Sequence, residues 1–263
     1  MNSREIEKNI GTLSKFELIV NDFTTGLRGE PERPRIEFNH TSYPGVEAHL
    51  FTIADASSWQ PELTDANDVV FFGSINESER NKAWVKLLST ISDVMNRLEQ
   101  YRQGLNHGII PSSNWIYQEL TWYRMNWERH PCDLKPAESF LYGVDESIRP
   151  HIKELNDLGF PTTQSCSGLV KDHVDREPYK PYVMFDERIY PRSSAHLFTL
   201  ADITGWIPSY GPHNFDVELR LTDSDDAGRF WDNLVSNAKV LASLVHNYRV
   251  EFGIFPDSLK GTL

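Results

Sequence analysis

Residues 43–59 read YPGVEAHLFTIADASSW, and residues 190–206 read YPRSSAHLFTLADITGW. One register aligns Tyr43 with Tyr190, His49 with His196, Asp55 with Asp202 and Trp59 with Trp206, and it carries on to Trp84 and Trp231. From Pro34 and Pro181 onward no gap is needed across roughly 70 positions, of which about 20 are identical, far beyond what two unrelated stretches produce. Upstream, residues 6–27 align on 148–169 with a shift smaller by about five residues, so the second copy carries a short insertion between Leu169 and Pro181. Downstream, YRQGLNHGIIPSS from Tyr101 matches YRVEFGIFPDS from Tyr248. The chain reads as one unit written twice.

Each copy opens on an amphipathic helix, with Ile6, Ile10 and Leu13 in the first and Ile148, Ile152 and Leu155 in the second. A strand is expected next at Phe16–Val20 and Phe160–Gln164, and another at Arg35–Phe38 and Tyr182–Phe185. The AHLFTIAD and AHLFTLAD stretches fit either a helix or a buried strand, and helix is the preferred reading. A strand then runs over Asp68–Phe72 and Phe215–Leu221. The closing helix starts at Asn76 with Glu79, or Asp223 with Asp226, an N-cap with an acid three residues on. Phe230, Leu234, Ala238, Leu241 and Val245 form its apolar stripe. The expected fold is α/β, a tandem duplication of an α-β-β-α-β-α sandwich unit, the two units related by a pseudo-two-fold as in a homodimer.

The domain division places repeat unit one at 1–113, a connecting segment at 114–143 and repeat unit two at 144–263. In the connector Ile116, Leu120, Tyr123 and Trp127 share a helical face, and Trp115, Trp122 and Trp127 crowd together. This suits a helix packed across both units better than an aromatic ligand platform. HPCDLKP then reads as an irregular exit loop.

Hydrophobic residues make up 39% of the 263 residues and aromatics 12%, enough for a core, which argues against global disorder. The net charge of −12, with Lys and Arg scattered, disfavours a broad nucleic-acid surface. Two cysteines, Cys132 and Cys166, are too few for a disulfide framework and point to a reducing compartment. The opening MNSREIEKNIGTL has no apolar signal core, and no apolar run approaches about 18 residues, so no membrane contact is expected and the location reads as cytoplasmic. The chain is expected to be a monomer or a homodimer.

The sharpest local feature is Thr162-Thr163-Gln164-Ser165-Cys166-Ser167-Gly168. Small residues after a strand let backbone N–H groups converge on an anion, and the Ser165 and Ser167 hydroxyls add donors. A thiol there would have its thiolate stabilised, which makes Cys166 a candidate nucleophile. His173, inside the insertion with Asp175, is the candidate base for it. The bland alternative is an inert buried cysteine in a tight turn. The first copy has Phe23-Thr24-Thr25-Gly26 at the corresponding place. Glycine in both copies points to a turn, whereas the thiol, both serines and His173 belong to the second copy alone. The second copy is therefore expected to hold the working site, with the first as a structural copy.

His49 and His196, with Asp55 and Asp202 six positions on, occur in both copies. Such a pair can be an acid–base device, or a satisfied core contact, which occurrence in both copies favours. His196 and Asp202 are retained as ligand-binding candidates bordering the Cys166 pocket, together with Ser165, Ser167 and Gly168. Trp59, Trp84, Trp206 and Trp231 read as core. A zinc site from Cys166, His173 and His196, with Cys132 or His130, has no CxxC or HxxxH spacing behind it, and no metal ligand is assigned. GxGxxG, Walker A, GxSxG and HExxH are all absent.

Gly143-Val144-Asp145-Glu146-Ser147-Ile148, then Leu155-Asn156, Gly159 and Thr162 through Gly168, resemble a segment of the TYW3-type family of wybutosine-synthesising proteins. The resemblance implies an α/β fold, methyl transfer from S-adenosylmethionine to a modified guanosine of tRNA, and Ser165, Cys166, Ser167 and Gly168 lining the active pocket. Two functions follow. One is an enzyme with a Cys166-centred pocket, S-adenosylmethionine-dependent methyl transfer to a modified nucleoside being its most specific form. The other is a non-catalytic protein that captures a small anionic ligand or nucleotide in the Ser165–Gly168 nest.

Overall fold

The runs flanking Tyr43 and Tyr190 fold into two four-stranded antiparallel sheets, each with a buried helix between its second and third strands. The structure, a computed structural model, describes residues 1–27, 32–106, 138–173, 180–211, 216–222 and 226–254. The first half runs α1 (Ser3–Gly11), β1 (Val20–Thr24), β2 (Arg35–Phe38), α2 (Val46–Ser57), β3 (Gln60–Leu63), β4 (Val69–Phe72), α3 (Glu77–Arg97) and α4 (Glu99–Asn106). The second runs α5 (Glu138–Tyr142), α6 (Arg149–Asp157), β5 (Thr162–Cys166), β6 (Tyr182–Asp186), α7 (Ser193–Thr204), β7 (Ile207–Tyr210), β8 (Asp216–Arg220), α8 (Ala227–Leu244) and α9 (His246–Glu251). The strand orders are β1-β2-β4-β3 and β5-β6-β8-β7. The chain is mixed α/β, and among the described residues no helix is long and apolar enough to cross a membrane.

AHLFTIAD and AHLFTLAD are helical. In α2 every residue but Glu47 is buried, and in α7 every residue but Ile203. A helix buried on all sides belongs between layers rather than on a surface. The two lie against each other along small residues: the Thr52 and Thr199 hydroxyls are 2.8 Å apart, and each bonds its own helix at Ala48 or Ala195. Beside this contact the tryptophans pair edge to face, Trp59 with Trp84 at 4.9 Å and Trp206 with Trp231 at 5.1 Å, all four buried as expected. One apolar cluster runs from Ile6 to Val245 and takes in both sheets.

Three expectations are corrected. The first strand of each half begins later than expected: Phe16 sits in a 3-10 turn (Leu13–Phe16) that Glu17 closes with φ +62°, and β5 starts at Thr162 and reaches Cys166. The strand thus carries into the SCSG motif instead of stopping before it. The edge strands β3 and β7 were not anticipated, because each contains a proline, Pro61 or Pro208, which a sheet accepts at its edge. Each half is therefore α-β-β-α-β-β-α. Finally, Phe72 pairs with Arg35, whereas Tyr182 pairs with Arg220 and not with the aligned Leu219. The pairing closes one residue wider across β7 and β8, where Tyr210 pairs with Val217, than across β3 and β4, where Leu63 pairs with Val69, and the extra residue is made up before Trp231. The Asn76 side chain caps α3 by accepting from the Ser78 N–H, as expected. Asp223, Asp175, Cys132, His130 and the connector residues 114–137 lie outside the described residues.

Candidate functional site at Cys166

Cys166 ends β5 with its side chain buried, 3% exposed. Its neighbour Ser165 points to the other face of the strand, half-buried, with its backbone paired to Val183. Ser165 therefore takes no part in the arrangement around the thiol. Gly168 makes the turn that follows. Its φ is +71°, and a Cβ there would lie 2.4 Å from Pro181 Cγ. Gly26 has φ +61° and is closed by Pro34 in the same way. Glycine at both places serves chain reversal.

Beyond Gly168 a 3-10 turn, Val170–Asp172, brings His173 back to the strand end. His173 Nε2 lies 3.3 Å from Cys166 Sγ, so the expected thiol–imidazole contact is present and buried. Asp145 completes the group. It precedes the 3-10 turn Glu146–Ile148, where its carbonyl takes the N–H groups of Ile148 and Arg149. That fixes its side chain, whose Oδ2 accepts from Ser167 N at 2.7 Å and lies 3.4 Å from His173 Nε2. Asp172 sits beside it: its Oδ2 accepts from Ser167 Oγ at 2.7 Å and from Ser147 Oγ. Burial works to raise the Asp172 carboxyl, but the bonds from Ser147 and Ser167 outweigh it and hold it below the usual value.

Two consequences follow. The nest expected to hold an external anion is filled by the chain's own acids. Ser167 N serves Asp145, Ser167 Oγ serves Asp172, and Leu169 N donates to Ser167 Oγ at 3.1 Å. The imidazole, moreover, does not stand in a relay between thiol and carboxylate. A relay puts the base's two ring nitrogens to two different partners. Here Nε2 alone faces both Cys166 and Asp145. Among the described residues Asp145, Cys166 and His173 form the one group of three whose ligand-type atoms converge, all within 4.8 Å of one another. The corresponding turn of the first half instead carries Thr25, which accepts from Trp84 Nε1 through its carbonyl at 2.8 Å.

His196 and Asp202 lie elsewhere, at the contact between α7 and α2, and their expected partners are exchanged. His49 Nε2 bonds Asp202 at 2.7 Å and His196 Nε2 bonds Asp55 at 2.9 Å, each histidine reaching the opposite helix. Six residues along a helix turn a side chain about 120° away from its starting face, so a partner on the same helix is out of reach. Tyr43 and Tyr190 hold the other ring nitrogens at 3.0 and 3.1 Å. Burial lowers the His196 pKa against the pull of Asp55, and burial raises that of Asp202 against His49. Of the two carboxylates, only Asp55 has a second cation among the described residues: Arg192 grips it at 2.6 Å and, against burial, is raised above its ordinary value by the attraction of Asp55. Gly45 stands where Arg192 would be repeated in the first half.

Of the residues singled out from the sequence, Cys166, His173 and Ser167 are thus assembled, Gly168 shapes the turn, and Ser165, His196 and Asp202 stand apart. Asp145, Ser147 and Asp172 were not assigned a role from sequence. The first two lie within GVDES, and Asp172 immediately precedes His173. In comparisons with family models, with curated proteins and with solved structures, the chain matches none.

Proposed function

We propose that the chain is a tandem duplication whose second half works as an enzyme centred on Cys166, while the first half is a structural copy. Identical strand orders, a bulge early in β1 and in β5, and the reciprocal His–Asp bonds support the duplication. The observation that carries the enzyme reading is the buried contact of Cys166 Sγ with His173 Nε2, which the first half, with Thr24 in the thiol's place, does not repeat. Proton transfer from the thiol to that nitrogen would make Cys166 a nucleophile and His173 its acid–base partner. Anion capture is the weaker reading, because the donors it needs already serve Asp145 and Asp172.

The reaction class to test is methyl transfer to a modified nucleoside, as the resemblance to the wybutosine-synthesising family implies. The fit of S-adenosylmethionine itself is poor among the described residues. Cys166, Ser167 and His173 are at most 7% exposed, which leaves little surface for an adenosine to contact. The two-cysteine composition suits a cytoplasmic, reducing setting in which the thiol stays free. The test is transfer of labelled methyl groups to small RNA from cells lacking the chain. Transfer that Cys166→Ala abolishes and Thr24→Ala leaves intact is expected. No transfer removes this reaction class, and full activity of Cys166→Ala removes the site.

A further inference from the structure

Resting on the reading that the second half holds the working site, we propose that Cys166, His173 and Asp145 bind one divalent metal ion of the zinc class. The three ligand atoms lie within 4.8 Å of one another, and two of their three separations match the edges of a coordination tetrahedron. Zinc holds sulfur at about 2.3 Å and nitrogen or oxygen at about 2.0 Å, which puts tetrahedral ligand atoms about 3.3 to 3.5 Å apart. Sγ to Nε2 is 3.3 Å and Nε2 to Oδ2 is 3.4 Å. A cation between the three would take a lone pair from each of them at once.

The donor set selects the ion. One thiolate, one imidazole and one carboxylate suit zinc and its neighbours in the first transition row, while magnesium and calcium take oxygen. Ser167 N fixes the Asp145 oxygen that faces the site, the kind of outer contact that orients a metal-bound carboxylate. Gly168 and the Val170–Asp172 turn set His173 against the thiol. The described residues supply three ligands, the number a catalytic zinc keeps when water holds its fourth position. Binding exchanges the Cys166 S–H bond for a sulfur–metal bond, and the thiol proton leaves to solvent. His173 coordinates through Nε2 as the neutral ring with its hydrogen on Nδ1, so in the metal-bound chain Cys166 and His173 are ligands, and the nucleophile–base pair proposed above belongs to the metal-free chain.

The test uses the full chain, stripped with a chelator and titrated with cobalt(II) and then zinc, alongside Cys166→Ser, His173→Ala and Asp145→Asn. Circular dichroism checks the fold of each, and Asp145→Asn keeps the size and the acceptor for Ser167 N. The wild type is expected to take up about one ion and release about one proton per chain, with a thiolate-to-cobalt charge-transfer band. Cys166→Ser should lose the band, and the other two should bind more than about tenfold more weakly. Failure of the wild type to take up either ion, or uptake by folded variants equal to the wild type's, overturns the proposal. Uptake without methyl transfer removes only the reaction class proposed above, and methyl transfer by a metal-free chain removes only the metal.

Discussion

Asp55 and Asp202 occupy matching places on α2 and α7, yet replacing each with asparagine is expected to have very different costs. Asp202 receives one bond, from His49 Nε2, with both side chains at most 4% exposed. Asparagine keeps an acceptor for that N–H and removes a carboxylate that burial already disfavours, so Asp202→Asn should cost no more than about 1 kcal/mol. Asp55 answers two groups, His196 at 2.9 Å and the Arg192 guanidinium at 2.6 Å. Asparagine there leaves Arg192 charged, 14% exposed and without its counterion. Removing one partner of a fully buried ion pair costs about 3–5 kcal/mol, and the solvent that Arg192 retains reduces this to about 2–4 kcal/mol. A gap of about 2 kcal/mol corresponds to roughly 30-fold in the unfolding equilibrium and to about 4–8 °C in Tm for a chain of this size. Urea unfolding at neutral pH, followed by tryptophan fluorescence and compared at matched slopes, measures it. Equal costs, or a greater cost for Asp202→Asn, would refute the assignment of Arg192 as the element that separates the two positions.

Gly168→Ala should destabilise the protein by at least about 2 kcal/mol, from left-handed backbone plus displacement of Pro181. Gly26→Ala should cost a similar amount, but only Gly168→Ala should also disturb the cobalt spectrum; a thermal scan showing either variant as stable as the wild type contradicts this. The lowered pKa of His196 makes it a source of acid sensitivity. The unfolded chain takes up a proton near pH 6.5 that the folded chain refuses, so this part of the stability is present above about 6.5 and is lost as the pH falls through the lower folded value. Asp202, raised by burial, works in the opposite sense: its contribution is present below about pH 3.8 and is lost as the pH rises through the higher folded value. Unfolding midpoints across this range should show a shallower acid loss in His196→Gln, and an unchanged slope would remove His196 from the account.

The sequence made the helices legible because their apolar periodicity survives in both halves, as along Leu234, Ala238 and Leu241. The edge strands were hidden by Pro61 and Pro208, which weigh against a strand unless its place at the sheet edge is known. The starts of β1 and β5 were hidden because Phe16 and Phe160 are apolar for packing reasons without being in the sheet. At the site, Cys166 and His173 stand seven residues apart, and their meeting depended only on a short turn. Asp145 is 21 residues from Cys166 in sequence, and only the packing of its turn against the end of β5 joins them. The exchange of partners between the two His–Asp pairs could not be read from the sequence. Their spacing suggested a local bond, and the correct partner depends on how two identical-looking helices cross.

That exchange bears on what can be cut from this molecule. A fragment ending before residue 114 would carry His49 without Asp202 and Asp55 without either His196 or Arg192. A fragment starting after it would strand the complementary set, and each would expose the helix face that Thr52 and Thr199 now close. Exposing that apolar face and leaving its histidine, aspartate and arginine groups without partners is expected to destabilise either fragment. Neither half is expected to be a portable module, and attempts to express the Cys166-bearing half by itself should be designed to supply a second copy of the missing face.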